Sequence, residues 1–148
     1  MTNILTMMIR KCNDVELLQF LQSIENEATH EKEVLQMCVI DNGYCRYNGT
    51  TLMLALNHNK STKVLLKLIE IGGKDLVMMV DKYDGRTALH YVCGNGNISI
   101  DVVTKLIETG GQELIMVKDF VGRTALHHAC ENRNEPIDIV SKLIEFGG

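Results

Sequence analysis

The sequence predicts an all-α solenoid of stacked helix–turn–helix repeats, about three full units behind an N-terminal capping unit. Three observations carry that prediction. Gly85-Arg86-Thr87-Ala88-Leu89-His90 returns 37 positions later as Gly122-Arg123-Thr124-Ala125-Leu126-His127, and a degenerate copy, Gly49-Thr50-Thr51-Leu52-Met53-Leu54, lies 36 positions earlier. A second block, Lys67-Leu68-Ile69-Glu70-Ile71-Gly72-Gly73, keeps the same beat at residues 105–111 and 142–148. Each unit also holds apolar residues at helical spacing, a face that one repeat alone cannot bury and that neighbours must cover.

Composition fits that class and excludes others. With 148 residues, 45 % apolar and 23 % charged, the chain is long enough for a continuous core without disulfide or metal staples. One Pro, no Trp and 5 % aromatics argue against a β-sandwich. The net charge of −4, without a basic run, offers no electrostatic footprint for nucleic acid. No apolar stretch is long enough to span a membrane, and the N-terminus lacks the pattern of a signal peptide. Five cysteines without a CxxC pair argue against a secreted disulfide framework and point to a reducing cytoplasmic or nuclear setting.

Taken in order, residues 1–26 read as a capping unit, with Met7–Leu18 giving an inner helix, a short turn and an outer helix. Residues 27–46 form an insertion, expected to carry a short helix around Glu31–Val39. Three repeats follow at 47–82, 83–119 and 120–148, the last expected to be truncated at its C-terminal end. In each, Thr87 and Thr124 stand where a hydroxyl can cap the inner helix by accepting from a free backbone N–H, worth roughly 1 kcal/mol. Leu89, Val92 and Cys93, then Leu126, Ala129 and Cys130, supply inner-helix packing. Val64/Leu65/Leu68/Ile69, Val102/Val103/Leu106/Ile107 and Ile139/Val140/Leu143/Ile144 mark one buried stripe on each outer helix. Gly72, Gly110 and Gly147 are expected to stop those helices in a left-handed conformation, and Pro136 suits the first turn of the last one.

With Gly-Arg-Thr-Ala-Leu-His-Tyr-Val-Cys at 85–93 and Gly-Arg-Thr-Ala-Leu-His-His-Ala-Cys at 122–130, the chain resembles the ankyrin repeat family, Ala88 and Ala125 standing where the family has Pro. The family period is about 33 residues. The surplus falls after the Gly-Gly pairs, at 74–79 and 112–116, as an added helical turn, and between the paired helices, at 93–101 and 130–138. The resemblance implies hairpin-like fingers between repeats. It also implies that His90 and His127 bond the preceding Thr and the backbone of the adjacent loop.

The candidate contact surface has two parts. Tyr47, Tyr83 and Phe120 each stand two residues before the motif Gly, so they should line up along the finger ridge. In the family that position and its neighbours contact partners, which here implicates Asp84, Arg86, Val121 and Arg123. Along the concave side the matching residues are Asn95, Glu131, Asn132 and His58, with Tyr91 and His128 nearby, a hydrophilic groove with an aromatic rim. Tyr, Phe and Arg are the side chains most often found at binding hot spots. The rings could equally pack finger against finger.

No nucleophile elbow, phosphate loop, HExxH or dinucleotide-binding turn occurs, so no catalytic residue, cofactor or metal ligand is assigned. The recurring His and Cys positions follow the core register, and Cys38 with Cys45 is the one pair that could link or bind metal. The reading is a monomeric protein-binding module for a protein or peptide, with no enzymatic activity. The alternatives are a self-assembling repeat segment that associates through its C-terminal end, or the targeting part of a longer multidomain protein.

Overall fold

The computed structural model describes residues 4–25, 37–41, 46–134 and 137–147, and of residues 37–41, 46 and 47 the backbone alone. The elements are α1 (Ile4–Lys11), α2 (Asp14–Ile24), β1 (Met37–Asp41), β2 (Arg46–Thr50), α3 (Thr51–Asn57), α4 (Thr62–Met78), α5 (Ala88–Gly94), α6 (Ile100–Met116), α7 (Ala125–Glu131) and α8 (Ile137–Gly147). Short inner helices α1, α3, α5 and α7 stack on one side, and longer outer helices α2, α4, α6 and α8 stack on the other. The result is mostly helical, in keeping with the expected solenoid.

The core is a ribbon of apolar side chains running between the layers. Val64, Leu65, Leu68 and Ile69 on α4, and Val102, Val103, Leu106 and Ile107 on α6, are all buried, because each outer helix has a neighbour on both sides. On α8 the stripe divides. Ile139 and Leu143 are buried against α6, while Ile144 on the far side is 57 % exposed. The capping unit is tied to the first full repeat by polar contacts as well. Asn13 and Glu16 form a reciprocal capping box that starts α2. Asp14 accepts from the Ser61 N–H at 2.8 Å, and Lys60 donates to the Cys12 carbonyl at 2.7 Å. Burial opposes the charge on Asp14, but the Ser61 and Lys60 contacts outweigh it and hold the carboxyl below its ordinary pKa.

Two expectations need correction. The helix foreseen around Glu31–Val39 ends in strand: residues 37–39 belong to β1, which pairs antiparallel with β2 from Met37 opposite Thr50 to Asp41 opposite Arg46. Val39 and Ile40 are β-branched and suit a paired strand better than a helix end. The rest of that foreseen helix, the residues before Met37, lies outside the described residues, as do Cys45 and Pro136.

The glycine stops are shifted by one residue. In the first two pairs the positive φ belongs to the second glycine, Gly73 (φ 57°, ψ −155°) and Gly111 (φ 67°, ψ −165°), in a region only glycine occupies readily, while Gly148 lies outside the described residues. Gly72 and Gly110 serve differently. A Cβ there would stand 2.3 Å from Leu76 and 2.5 Å from Leu114, so the chain folds back on them. Helical backbone resumes through Leu76–Met78 and Leu114–Met116, which realises the added turn. Leu76, Val77, Leu114 and Ile115 are all buried by it.

A clean test of that kink is Gly111→Ala, because nothing lies within 4 Å of a Cβ there and only backbone strain is added. The variant should lose roughly 1–3 kcal/mol in urea unfolding. Gly94→Ala, in equally open space at a helical position without positive φ, should lose nothing. Equal losses at both positions would refute the account.

Candidate functional site, the finger ridge and the groove

The fingers of the second and third repeats are each built around one buried carboxylate. Asp81 accepts from the backbone N–H groups of Tyr83, Asp84 and Arg86 at 2.8, 2.8 and 2.9 Å, and Asp119 from those of Val121 and Arg123 at 3.1 and 2.8 Å. The loops close on themselves through Asp81 N–H to the Arg86 carbonyl and Asp119 N–H to the Arg123 carbonyl. Asp81 is 3 % exposed and Asp119 5 %, so these acids are interior groups fully occupied by donors. Burial alone would raise the Asp119 pKa. Donation from the Arg123 N–H, from His128 and from the Val121 N–H outweighs that, and the group is held down at about 2.

The next inner helix clamps each carboxylate from behind. Tyr91 on α5 donates its hydroxyl to Asp81 at 3.2 Å, and His128 on α7 bonds Asp119 at 2.9 Å. The placement of these two side chains is thereby corrected. Tyr91 is half-buried and His128 buried, both turned onto a finger base rather than displayed along the groove. Burial first, and then the Asp81 charge and hydrogen bond, push the Tyr91 phenol up to about 12.

A third contact locks neighbouring repeats. His90 is 1 % exposed. The Thr87 N–H donates to its Nδ1 at 3.2 Å, and the Thr87 hydroxyl lies 2.8 Å from the same nitrogen. Nδ1 is therefore the acceptor, and Nε2 carries the hydrogen it donates to the Arg123 carbonyl of the following finger, 3.2 Å away. Desolvation by burial holds this imidazole below its ordinary pKa. His127 repeats the inner half of the arrangement with Thr124, its Nδ1 2.9 Å from the hydroxyl, but is itself exposed. Thr50 caps α3 more simply, accepting from the Met53 N–H at 3.2 Å.

The fingers also bond directly to one another: Lys82 N–H to the Asn48 carbonyl at 3.1 Å, and Phe120 N–H to the Asp84 carbonyl at 2.8 Å. Those bonds revise the aromatic ladder. Counted back from the motif glycines, Tyr83 pairs with Phe120. In the fold Phe120 takes the place of Lys82, because the Asp81–Gly85 turn is one residue longer than the Asp119–Gly122 turn. The Phe120 ring lies over Gly85, whose absent Cβ would stand 2.4 Å from the ring. Phe120 nonetheless remains 68 % exposed, beside Val121 at 76 % and Tyr83 at 55 %. Asp84 is exposed and Arg86 partly so, with its Nε 3.8 Å from Asp119. The side chain of Tyr47 lies outside the described residues.

The groove is polar. Arg123 pairs with Glu131 at 2.8 Å, both exposed. Asn132 is half-buried and reaches the Cys93 carbonyl at 3.4 Å, with Asn95 half-buried nearby at the end of α5. Sequence reading missed the two finger-base acids. Their signal was an Asp recurring before each Gly-Arg-Thr, obscured because its distance to the glycine differs by one residue. Among the described residues no group of His, Cys, Asp or Glu could hold a metal ion, and no helix is long and apolar enough to cross a membrane.

Fingers and a shallow groove on a stack of paired helices define a helical repeat solenoid. A family profile, ankyrin repeats in three copies, matches residues 52–147, and the chain belongs to the ankyrin repeat family. Among solved structures, the crystal structure of the ankyrin repeat domain of Bcl-3, a member of the IkappaB protein family, superposes with a TM-score of 0.61 at 20 % identity. The match covers 99 % of this chain and 57 % of that one, so the chain spans little more than half its length. At that identity the likeness concerns the fold. No curated protein matches the sequence.

The seam chemistry sets a pH dependence. The buried His90 refuses a proton that the unfolded chain would take, so stability should fall as pH drops through about 6.5. Asp119, depressed to about 2, adds a further loss as pH falls below about 4. At the other end, the unfolded chain releases the Tyr91 proton near pH 10 while the fold retains it to about 12, so stability declines there too. Urea midpoints at pH 7.5 and 5.5 should differ, the acid value being lower. Equal midpoints would remove His90 from the account.

Proposed function

We propose that this chain holds a protein or peptide partner on its finger ridge, with the concave groove as the adjoining contact, and that it catalyses nothing. Ankyrin repeats are in general protein–protein interaction modules, and the family gives the class without the partner. The observation that carries the reading is the display of Phe120, Val121 and Tyr83, all more than half exposed, on loops held rigid by interior carboxylates. Large apolar side chains left in water cost free energy, and a rigid support reduces the ordering that binding would otherwise require. Arg123 and Glu131 extend the surface into the groove as a polar rim. A reducing cytoplasmic or nuclear setting suits Cys12 and Cys130, which form no disulfide among the described residues.

Co-purification from lysate should compare the intact chain with a Tyr83→Ala/Phe120→Ala/Val121→Ala variant, both matched by circular dichroism. A partner retained by the former and lost by the folded variant supports the reading. Retention by both would remove the ridge from it.

A second reading, self-association, draws on the outer side of the last repeat. Leu89, His90, Cys93 and Ile107 are buried beneath the following unit, whereas their counterparts Leu126, His127, Cys130 and Ile144 are partly or largely exposed. Light scattering over a concentration series should then give a rising mass for the intact chain and a constant one for Ile144→Lys. A strictly monomeric intact chain would sink this second reading.

A further inference from the structure

The finger ridge has a charge that the chain as a whole does not. The protein carries 15 basic and 19 acidic residues. Within the two finger segments, 80–86 and 117–123, the basic residues are Lys82, Arg86, Lys118 and Arg123, and the acids are Asp81, Asp84 and Asp119. Burial removes two of those acids from the surface, since Asp81 and Asp119 are enclosed by backbone N–H groups, Tyr91 and His128. Of the finger acids only Asp84 is exposed, and with the two interior carboxylates counted the segments hold four basic residues against three acidic ones. Arg123 is turned to Glu131 and Arg86 lies near Asp84 and Asp119, whereas among the described residues Lys82 and Lys118 have no ion-pair partner.

Beside Lys82 the surface is apolar. Met79, Val80 and Phe120 line an open cleft with Asp81 and Lys82 at its edge, and Val121 continues the apolar strip along the finger tip. A partner fitting this pattern needs apolar side chains for the cleft and negative charge for the lysines, in one short stretch. Opposite charge raises the rate of encounter and disfavours basic segments, while the buried apolar contact supplies most of the affinity.

We propose that the finger ridge binds an acidic polypeptide segment bearing apolar side chains, its carboxylates facing Lys82 and Lys118 and an apolar side chain entering the Met79–Val80–Phe120 cleft. The inference rests on the ridge being the binding surface and adds the chemistry of its partner. Nucleic acid is also anionic, but phosphates would leave Val80, Val121 and Met79 without apolar contact.

A random dodecapeptide library selected on the intact chain tests this directly. The selected peptides should be enriched in Asp and Glu interleaved with aliphatic or aromatic residues, and their binding should weaken as salt is raised. Measured by fluorescence anisotropy, such a peptide should bind the Lys82→Glu/Lys118→Glu variant roughly tenfold more weakly, about 1.4 kcal/mol. Both substitutions are on exposed side chains and should leave the circular dichroism unchanged. Enrichment of basic or uncharged sequences, unaltered binding to the double variant, absence of any selected peptide, or tighter binding of a labelled oligothymidylate would each overturn the inference. If the lysate partner is still lost from the apolar finger variant, the ridge reading stands while the acidic partner falls. If that partner is retained, the ridge reading itself fails.

Discussion

A loop without regular secondary structure keeps one shape only if something holds it, and here that is a buried carboxylate. Asp119 lies inside the protein with its oxygens occupied by two backbone N–H groups of its own finger and by His128 of the next helix. Asp81 does the same with three N–H groups and Tyr91. An interior charge without such donors would be expensive, and backbone N–H groups without an acceptor would be too. Each satisfies the other, so the finger, which lacks regular secondary structure in the second and third repeats, takes on the rigidity of the helix beneath it.

The same logic runs from repeat to repeat. His90 receives from its own Thr87 and donates to the Arg123 carbonyl of the following finger, so one imidazole joins a helix start to the neighbouring loop. Together with the backbone bonds from Lys82 to Asn48 and from Phe120 to Asp84, it turns separate loops into one continuous ridge. Burial of the outer-helix stripes supplies the bulk of the stacking energy, and the polar contacts fix its register. His128 edges onto His90 with ring centroids 5.5 Å apart, so finger anchoring and repeat coupling share one polar cluster.

The structure also separates residues that sequence reading grouped together. Tyr91 and His128 serve the scaffold, while Phe120, Val121 and Tyr83 face solvent. Phe120 belongs to both sets: its ring rests on Gly85 of the preceding finger and still leaves most of its surface open. Finger packing and partner contact, posed as alternatives from the sequence, are compatible in this one side chain. A partner meeting the ridge would find the ring already oriented.

Periodicity alone determined a large part of this protein. Two blocks recurring at 36 or 37 residues established the repeat class, the paired helices and the outer-helix stripes, because local spacing and one-sided apolar faces depend only on neighbours along the chain, while the Thr–His contact followed from the family resemblance. Only the tertiary structure decided the rest. Which glycine of each pair bends backward, that residues 37–39 pair as strand, and that Lys82 rather than Tyr83 matches Phe120 all depend on contacts between segments far apart in sequence. The finger-base acids belong to that second group. An aspartate reads as a surface residue until the fold brings it the donors that make burial favourable.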